Sequence, residues 1–348
     1  DIAHGDPTQA IESAVADTGF RAAPLCIRDG NKIFKLLSDE DEAVAVAKRG
    51  SSHDICREGN NLDALSDHLD ASGAPRRYAV QTEGDIGWLG TEYIHGQDYS
   101  RTCTSIHRRG IERLADIQRI PPRSAPVTEG VEFLQDMKHR VEDLWRHPTF
   151  SQDATTREVL DWLDEGIAGA FWALVNPDER DLVVGHGDYK PDNLLYTQDS
   201  GGVYTCHPID WVYAHIRPRW CDIGFLAECY ESSATDRFYF EAYRDAVGAD
   251  TPIRREEDAR AAYLQGRVWA SLRNAGEAPD GKCDALRSFQ ELGRIRDELV
   301  SARSGSPATQ FGPATHAAAT AIAGRTNNST LAAKINAARQ WRAGTLAT

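Results

Sequence analysis

At 348 residues, with 41% hydrophobic and 26% charged residues, the chain is long enough for two hydrophobic cores and has an ordinary globular composition. A formal charge of −14 argues against nucleic acid or an anionic membrane as partner, and no apolar run approaches the roughly 20 residues that span a bilayer. Seven cysteines without a C-x-x-C pair argue against a zinc site or a disulfide framework and suit a reducing cytoplasm.

In chain order, Leu25 to Arg28 and Lys32 to Leu37 read as strands joined through Asp29-Gly30, a hairpin turn signal. A helix is expected near Ile55 to Leu69, with Ile55, Leu62, Leu65 and Leu69 on one face. Two further strands follow at Tyr78 to Thr82 and Ile86 to Ile94, turning at Glu83-Gly84-Asp85. After Gly96 the pattern becomes helical. Leu134, Met137, Val141 and Leu144 recur at 3-4-3 spacing, and Leu160, Leu163, Ile167, Phe171 and Leu174 line a second helix. Leu182-Val183-Val184 is a short apolar run. Leu194 to Tyr196 and Val203 to Ile209 form a hairpin about Thr197 to Gly202. From Asp222 to about Val300 the chain reads as helical, and from Ser304 it turns to Ala, Thr, Ser, Gly and Asn, with a last helix expected at Leu331 to Trp341. No internal repeat is present.

The chemistry concentrates in His186-Gly187-Asp188-Tyr189-Lys190-Pro191-Asp192-Asn193 and in Ile209-Asp210-Trp211. Phosphoryl transfer needs an acid to orient a hydroxyl and two oxygen ligands to hold magnesium on a nucleotide triphosphate. Asp188 is the candidate for the first role, and Asn193 and Asp210 for the second. The predicted hairpin brings Asp210 back beside Asn193. Upstream, Lys35 shares a strand face with Ile33 and Leu37 and is the candidate to grip the α- and β-phosphates. Lys32, at the strand's first residue, competes with it.

The H-G-D-x-x-x-x-N loop with its following I-D-W resembles the aminoglycoside phosphotransferase and choline kinase family of small-molecule kinases. The resemblance covers about residues 20 to 300. It implies an α+β, bilobal protein-kinase-like fold: an N-terminal nucleotide-binding lobe over 1–95, a helical lobe with catalytic loop and acceptor site over 96–303, and a tail over 304–348. It implies ATP or GTP as donor, with Mg2+. Glu58 matches the helix glutamate that positions the strand lysine. Thr91 to Gly96 matches the hinge, where backbone groups of Glu92 and Ile94 would read adenine. In the same resemblance Asp222 braces the catalytic loop, His186 is a structural loop residue, and Lys190 reaches the transferring phosphate. Asp222 also reads as a helix N-cap.

The acceptor is expected to be a small hydroxyl compound lying against the helical lobe, near Glu228, Glu231, Asp236 and Glu241. Those acids fit a cationic acceptor such as an aminoglycoside; a nucleoside antibiotic or a metabolite of the choline, homoserine or sugar type stays open. Monomer and homodimer are both compatible with the sequence. No G-x-G-x-x-G precedes the strand lysine and no A-P-E-like end follows Asp210, which turns the reading away from a protein kinase. A catalytically silent nucleotide sensor is the competing reading of another class.

Overall fold

The computed structural model describes residues 11–12, 19–28, 31–69, 73–97, 104–122, 130–146, 154–165, 182–229, 233–251, 255–277 and 291–298. The Asp29-Gly30 turn, the segment from Ile167 to Leu174, Glu231 and the tail over 304–348 lie outside the described residues.

Five strands, β1 (Arg21–Arg28), β2 (Asn31–Leu37), β3 (Ala43–Ser51), β4 (Arg77–Glu83) and β5 (Ile86–Glu92), form an antiparallel sheet in the order β1-β2-β3-β5-β4. Strand β3 is a correction to the sequence reading, which ran from the second strand directly to the helix. Its alternate positions Ala43, Ala45 and Ala47 have weak strand preference, and the acidic run Asp39 to Glu42 before it reads as loop. The sheet nevertheless needs it, because β3 is hydrogen-bonded to β2 on one side and β5 on the other. Ala47 is small enough to lie buried with Phe34 on one face, and the next residue, Lys48, points to the other.

Helix α1 (Ser52–Ser66) starts where the Ser51 side chain accepts the Asp54 N–H at 3.1 Å, satisfying one of the orphan donors of the first turn. Ile55, Leu62 and Leu65 recur at helical spacing and are buried with Leu89 of the sheet. Glu58 lies three residues after Ile55 and four before Leu62, so the buried face that holds the sheet also carries this carboxylate.

Beyond the sheet the chain is mostly helical: α2 (Thr104–Ile117), α3 (Gly130–Arg146) and α4 (Ala154–Glu165) precede the catalytic segment. Two small ladders frame that segment. Strand β6 (Leu182–Gly185) pairs with β9 (His215–Pro218), and β7 (Leu194–Gln198) pairs with β8 (Tyr204–Pro208) as the expected hairpin. Helices α5 (Trp220–Glu228), α6 (Ser233–Val247) and α7 (Glu256–Glu277) follow. No described helix is long and apolar enough to cross a membrane.

Helix α5 is buried on every side, so its neighbours must come very near. A Cβ on Gly224 would lie 2.3 Å from the Gly266 carbonyl carbon, and one on Gly266 would lie 2.1 Å from the Trp220 carbonyl oxygen. The α5–α7 crossing is thus backbone against backbone. Gly266→Ala is expected to destabilise the fold by about 1–3 kcal/mol, the usual cost of overpacking, because backbone cannot swing aside as a side chain can. Thermal unfolding checks it, and a melting temperature equal to wild type would contradict the close approach.

Candidate active site

Strand β6 delivers the chain into the catalytic loop. Gly187 sits there at φ +87°, and a Cβ would meet the Tyr213 carbonyl oxygen at 2.1 Å. Both facts require glycine where a protein-kinase loop has arginine. The loop backbone is held by Asp222, whose two carboxylate oxygens accept the N–H groups of His186 (2.7 Å) and Gly187 (3.0 Å). Asp222 lies in the first turn of α5, after Arg219 at the N-cap position, so it braces the loop and is not that helix's N-cap. Arg217 donates to the same carboxylate at 3.1 Å, pairing a charge that is fully buried.

His186 is buried, with Nε2 3.0 Å from the Ile209 carbonyl and Nδ1 accepting the Asp188 N–H at 3.3 Å. Only the neutral ring with its proton on Nε2 satisfies both contacts. Burial lowers its pKa despite the acids around it. The ring is a brace between the loop and the end of β8.

Asp188 has one carboxylate oxygen 2.6 Å from Arg273 Nη2, while the other lies 2.9 Å from Lys190 Nζ and accepts the Asn193 amide at 2.7 Å. Burial alone would raise its pKa; Arg273 and then Lys190 more than offset that and hold it below the usual carboxylate range. Asn193 also donates Nδ2 to the Asp188 carbonyl at 2.8 Å, which commits its nitrogen to the loop and turns Oδ1 the other way. The Ile209 N–H donates to the Asn193 carbonyl at 2.9 Å, so the hairpin does place Asp210 beside Asn193. Asp210 adopts φ +65°, a conformation that aspartate tolerates better than most residues.

The lysine that completes the site is Lys48. Its ammonium lies 2.8 Å from Glu58 Oε2 and 2.7 Å from Asp210 Oδ1. Lys35, singled out from the sequence, is across from Val46 on β2, one strand further from α1, and the structure does not bring it to Glu58. Burial pulls the Lys48 pKa down, but Glu58 and Asp210 beside it raise it overall, so the charge is secured. Glu58 accepts the Trp211 N–H at 3.2 Å with its other oxygen, and Asn61 donates to the Trp211 carbonyl at 2.7 Å. Glu58 and Asn61 of helix α1, with Lys48 of β3, thereby grip the turn that carries Asp210.

Glu92 ends β5, its N–H donating to the Arg76 carbonyl at 2.8 Å. Ile94 follows in the extended link that reaches Gln97, where a two-way backbone bridge to Tyr196 joins sheet and helical part. The acids expected to receive the acceptor are placed differently from the sequence reading. Glu228 is buried against Arg267 (2.7 Å), and Asp236 is held by Arg267, by Arg260 (2.8 Å) and by the Tyr263 hydroxyl (2.8 Å). Glu241 is on the surface with Arg237. Glu228 and Asp236 thus answer arginines of α7, a pairing that spacing along their own helices does not reveal. Sequence reasoning missed Lys48, whose signal was the alternation of Val44 and Val46 leading to it, and Arg273, which no local signal marks.

The model of the phosphotransferase enzyme family matches residues 31–265, most of the chain and all of the side chains just described except Arg267 and Arg273. The chain belongs to that family. The aminoglycoside 3'-phosphotransferase of Streptomyces ribosidificus is 24% identical over 180 residues, 49% of this chain and just under two thirds (66%) of that protein. The GDP complex of aminoglycoside 2'-phosphotransferase-IIIa superposes with a TM-score of 0.59 at 15% identity, covering 84% of this chain and 98% of that one. Choline kinase from Cryptosporidium parvum does so at 0.57 and 14%, covering 84% and 96%. At such identities the likeness is one of fold: a sheet-based N-terminal part and a helical C-terminal part, as in protein kinases.

Three histidines of this phosphotransferase-family chain, the buried His186 and the half-buried His107 and His215, have pKa values lowered by desolvation. The unfolded chain takes up their protons below about pH 6.5 and the folded chain resists, so stability must fall as pH drops through that value. Each proton withheld contributes up to about 1.4 kcal/mol per pH unit. Urea unfolding at pH 7.5, 6.5 and 5.5 is expected to give a decreasing stability; a flat or rising series would contradict the neutral rings.

Proposed function

We propose that the chain is an O-kinase that moves the γ-phosphate of ATP to a hydroxyl of a small molecule. The observation that carries this reading is the convergence of Asp188, Asn193 and Asp210 beneath Lys48 and Glu58. In the step, the acceptor oxygen bonds to the γ-phosphorus and the bond from phosphorus to the β,γ-bridging oxygen breaks. ADP departs with that electron pair, and the hydroxyl proton passes to Asp188 or through it to water. A carboxylate held well ionised is suited to orienting the hydroxyl, since a loose transition state calls for little base strength.

Asn193 Oδ1 and the Asp210 carboxylate are hard oxygen donors side by side, a set that fits Mg2+. Such an ion, when bound, neutralises charge on the phosphate oxygens. Lys48 serves the α/β-phosphates in the place first given to Lys35, and Glu58 keeps it aimed. Lys190 is close enough to Asp188 to turn from it to the transferring group. The carbonyl of Glu92 and the N–H of Ile94 would read the base. GTP is a second donor to test, since a relative of the same fold was solved with GDP. We assign nucleotide binding to residues 1–95 and acceptor binding to 96–303.

For the acceptor, the relative that phosphorylates aminoglycosides makes an aminated sugar the first candidate, in resistance or self-protection within the cytoplasm. The described acids do not add to that choice, because Glu228 and Asp236 are already neutralised. A choline-type, nucleoside or sugar acceptor is the alternative. An ADP-release assay over kanamycin, nucleoside antibiotics, choline and sugars is expected to give acceptor-dependent turnover with one class. Asp188→Asn should reduce it by at least about 10²-fold with nucleotide still bound. Lys48→Ala should lower turnover by about 10²–10³-fold while Lys35→Ala stays within about twofold of wild type. Turnover retained without Lys48 would exclude the lysine assignment, and nucleotide binding with no acceptor-dependent release would favour a silent sensor.

A further inference from the structure

Of the side chains that meet the Asp188 carboxylate, Lys190 and Asn193 come from its own loop and Arg273 from outside it. Arg273 comes from α7, seven residues after Gly266 and hence about two turns along the same helix face. Because α7 meets α5 backbone to backbone at Gly224 and Gly266, that face is carried directly under the catalytic loop. There the guanidinium meets the loop at Gly187 and at Asp188. Nη1 donates to the Gly187 carbonyl at 2.6 Å, and Nη2 lies 2.6 Å from Asp188 Oδ1.

Its plane is itself fixed. Cζ lies 4.7 Å from the centroid of the Phe225 ring and 5.2 Å from that of Tyr213, so aromatic faces support the cation on the sides away from the carboxylate. The side chain is only 10% exposed, against 35% for Lys190, the other cation on Asp188. The two cations differ in what they can do. Lys190 is a flexible point charge able to leave for a phosphate, whereas Arg273 is a stacked fork with no route outward. The loop backbone is then clamped from both sides: Asp222 of α5 takes the N–H groups of His186 and Gly187, and Arg273 of α7 takes the Gly187 carbonyl.

We propose that Arg273 is a positioning residue for phosphoryl transfer: from α7 it fixes the Asp188 carboxylate by one oxygen and so aims the other at the acceptor hydroxyl. Resting on the reading of Asp188 given above, it adds that the aim of this carboxylate is set by the α5–α7 glycine crossing rather than by the loop alone. Lysine is a poor replacement, because its single nitrogen lacks the two separated donors and the flat face by which Arg273 is stacked.

The test uses the full chain with ATP and magnesium, with kanamycin and water as the acceptors supplied, the latter read as basal ATP hydrolysis. Arg273→Ala is expected to lower kcat by about 10²-fold, the scale of loss for a catalytic group displaced by about 1 Å. The KM for ATP should stay within about threefold, and added guanidinium should restore part of kcat in this variant and none in wild type. Arg273→Lys, which keeps the charge, should lose at least about tenfold in kcat; it also serves if the alanine variant does not fold. Wild-type kcat in a folded Arg273→Ala or Arg273→Lys would overturn the proposal. So would a loss confined to KM for ATP, or a loss of melting temperature with kcat per folded molecule unchanged. Asp188→Asn is run beside them. If that variant turns over like wild type, the reading of Asp188 has failed; if it is dead while the Arg273 variants are normal, only the Arg273 inference has failed.

Discussion

The site depends on one cation held between two carboxylates from distant parts of the chain. Lys48 meets Glu58, ten residues away on α1, and Asp210, 162 residues away after β8. A buried charge is costly unless it is paired and hydrogen-bonded, so the cluster persists only while sheet, helix and hairpin keep their places. The reverse also follows. With Trp211 donating to Glu58 and accepting from Asn61, helix α1 reports the position of the turn that carries Asp210. Lys48, Glu58 and Asp210 are therefore one mechanical unit.

A second unit holds the catalytic loop. Its N–H groups face Asp222 of α5, and its Gly187 carbonyl faces Arg273 of α7, while the neutral His186 ties it to the end of β8. Gly187 lets the backbone pass against Tyr213, and the two glycines of the helix crossing let α5 and α7 approach from below. Preorganised groups of this kind stabilise a transition state without reorganising at the moment of reaction. The arrangement accounts for an ionised Asp188 inside a largely buried site.

Much of this was legible in the sequence because Asp188, Asn193 and Asp210 lie on a short, turn-bounded stretch. The loop from His186 to Asn193 and the hairpin to Asp210 are local features, and local spacing brings their groups together. The lysine was misassigned for a physical reason. An alanine-rich strand has little intrinsic preference, and Lys35 lay on the more apolar segment, although the central position of β3 is what puts Lys48 opposite Glu58. The acids of α5 and α6 looked available because their partners, Arg260 and Arg267, come from α7 and meet them only through packing. Arg273 was out of reach for the same reason. Contacts made across helices leave no periodic trace in any one of them.

The most direct check is a crystal structure with a non-hydrolysable ATP analogue and magnesium. The account predicts Lys48 Nζ within hydrogen-bonding distance of α- or β-phosphate oxygens, still paired with Glu58, and Asn193 Oδ1 and Asp210 on a shared ion. Phosphates resting on Lys35 instead, or Asn193 and Asp210 facing separate sites with no ion between them, would contradict it.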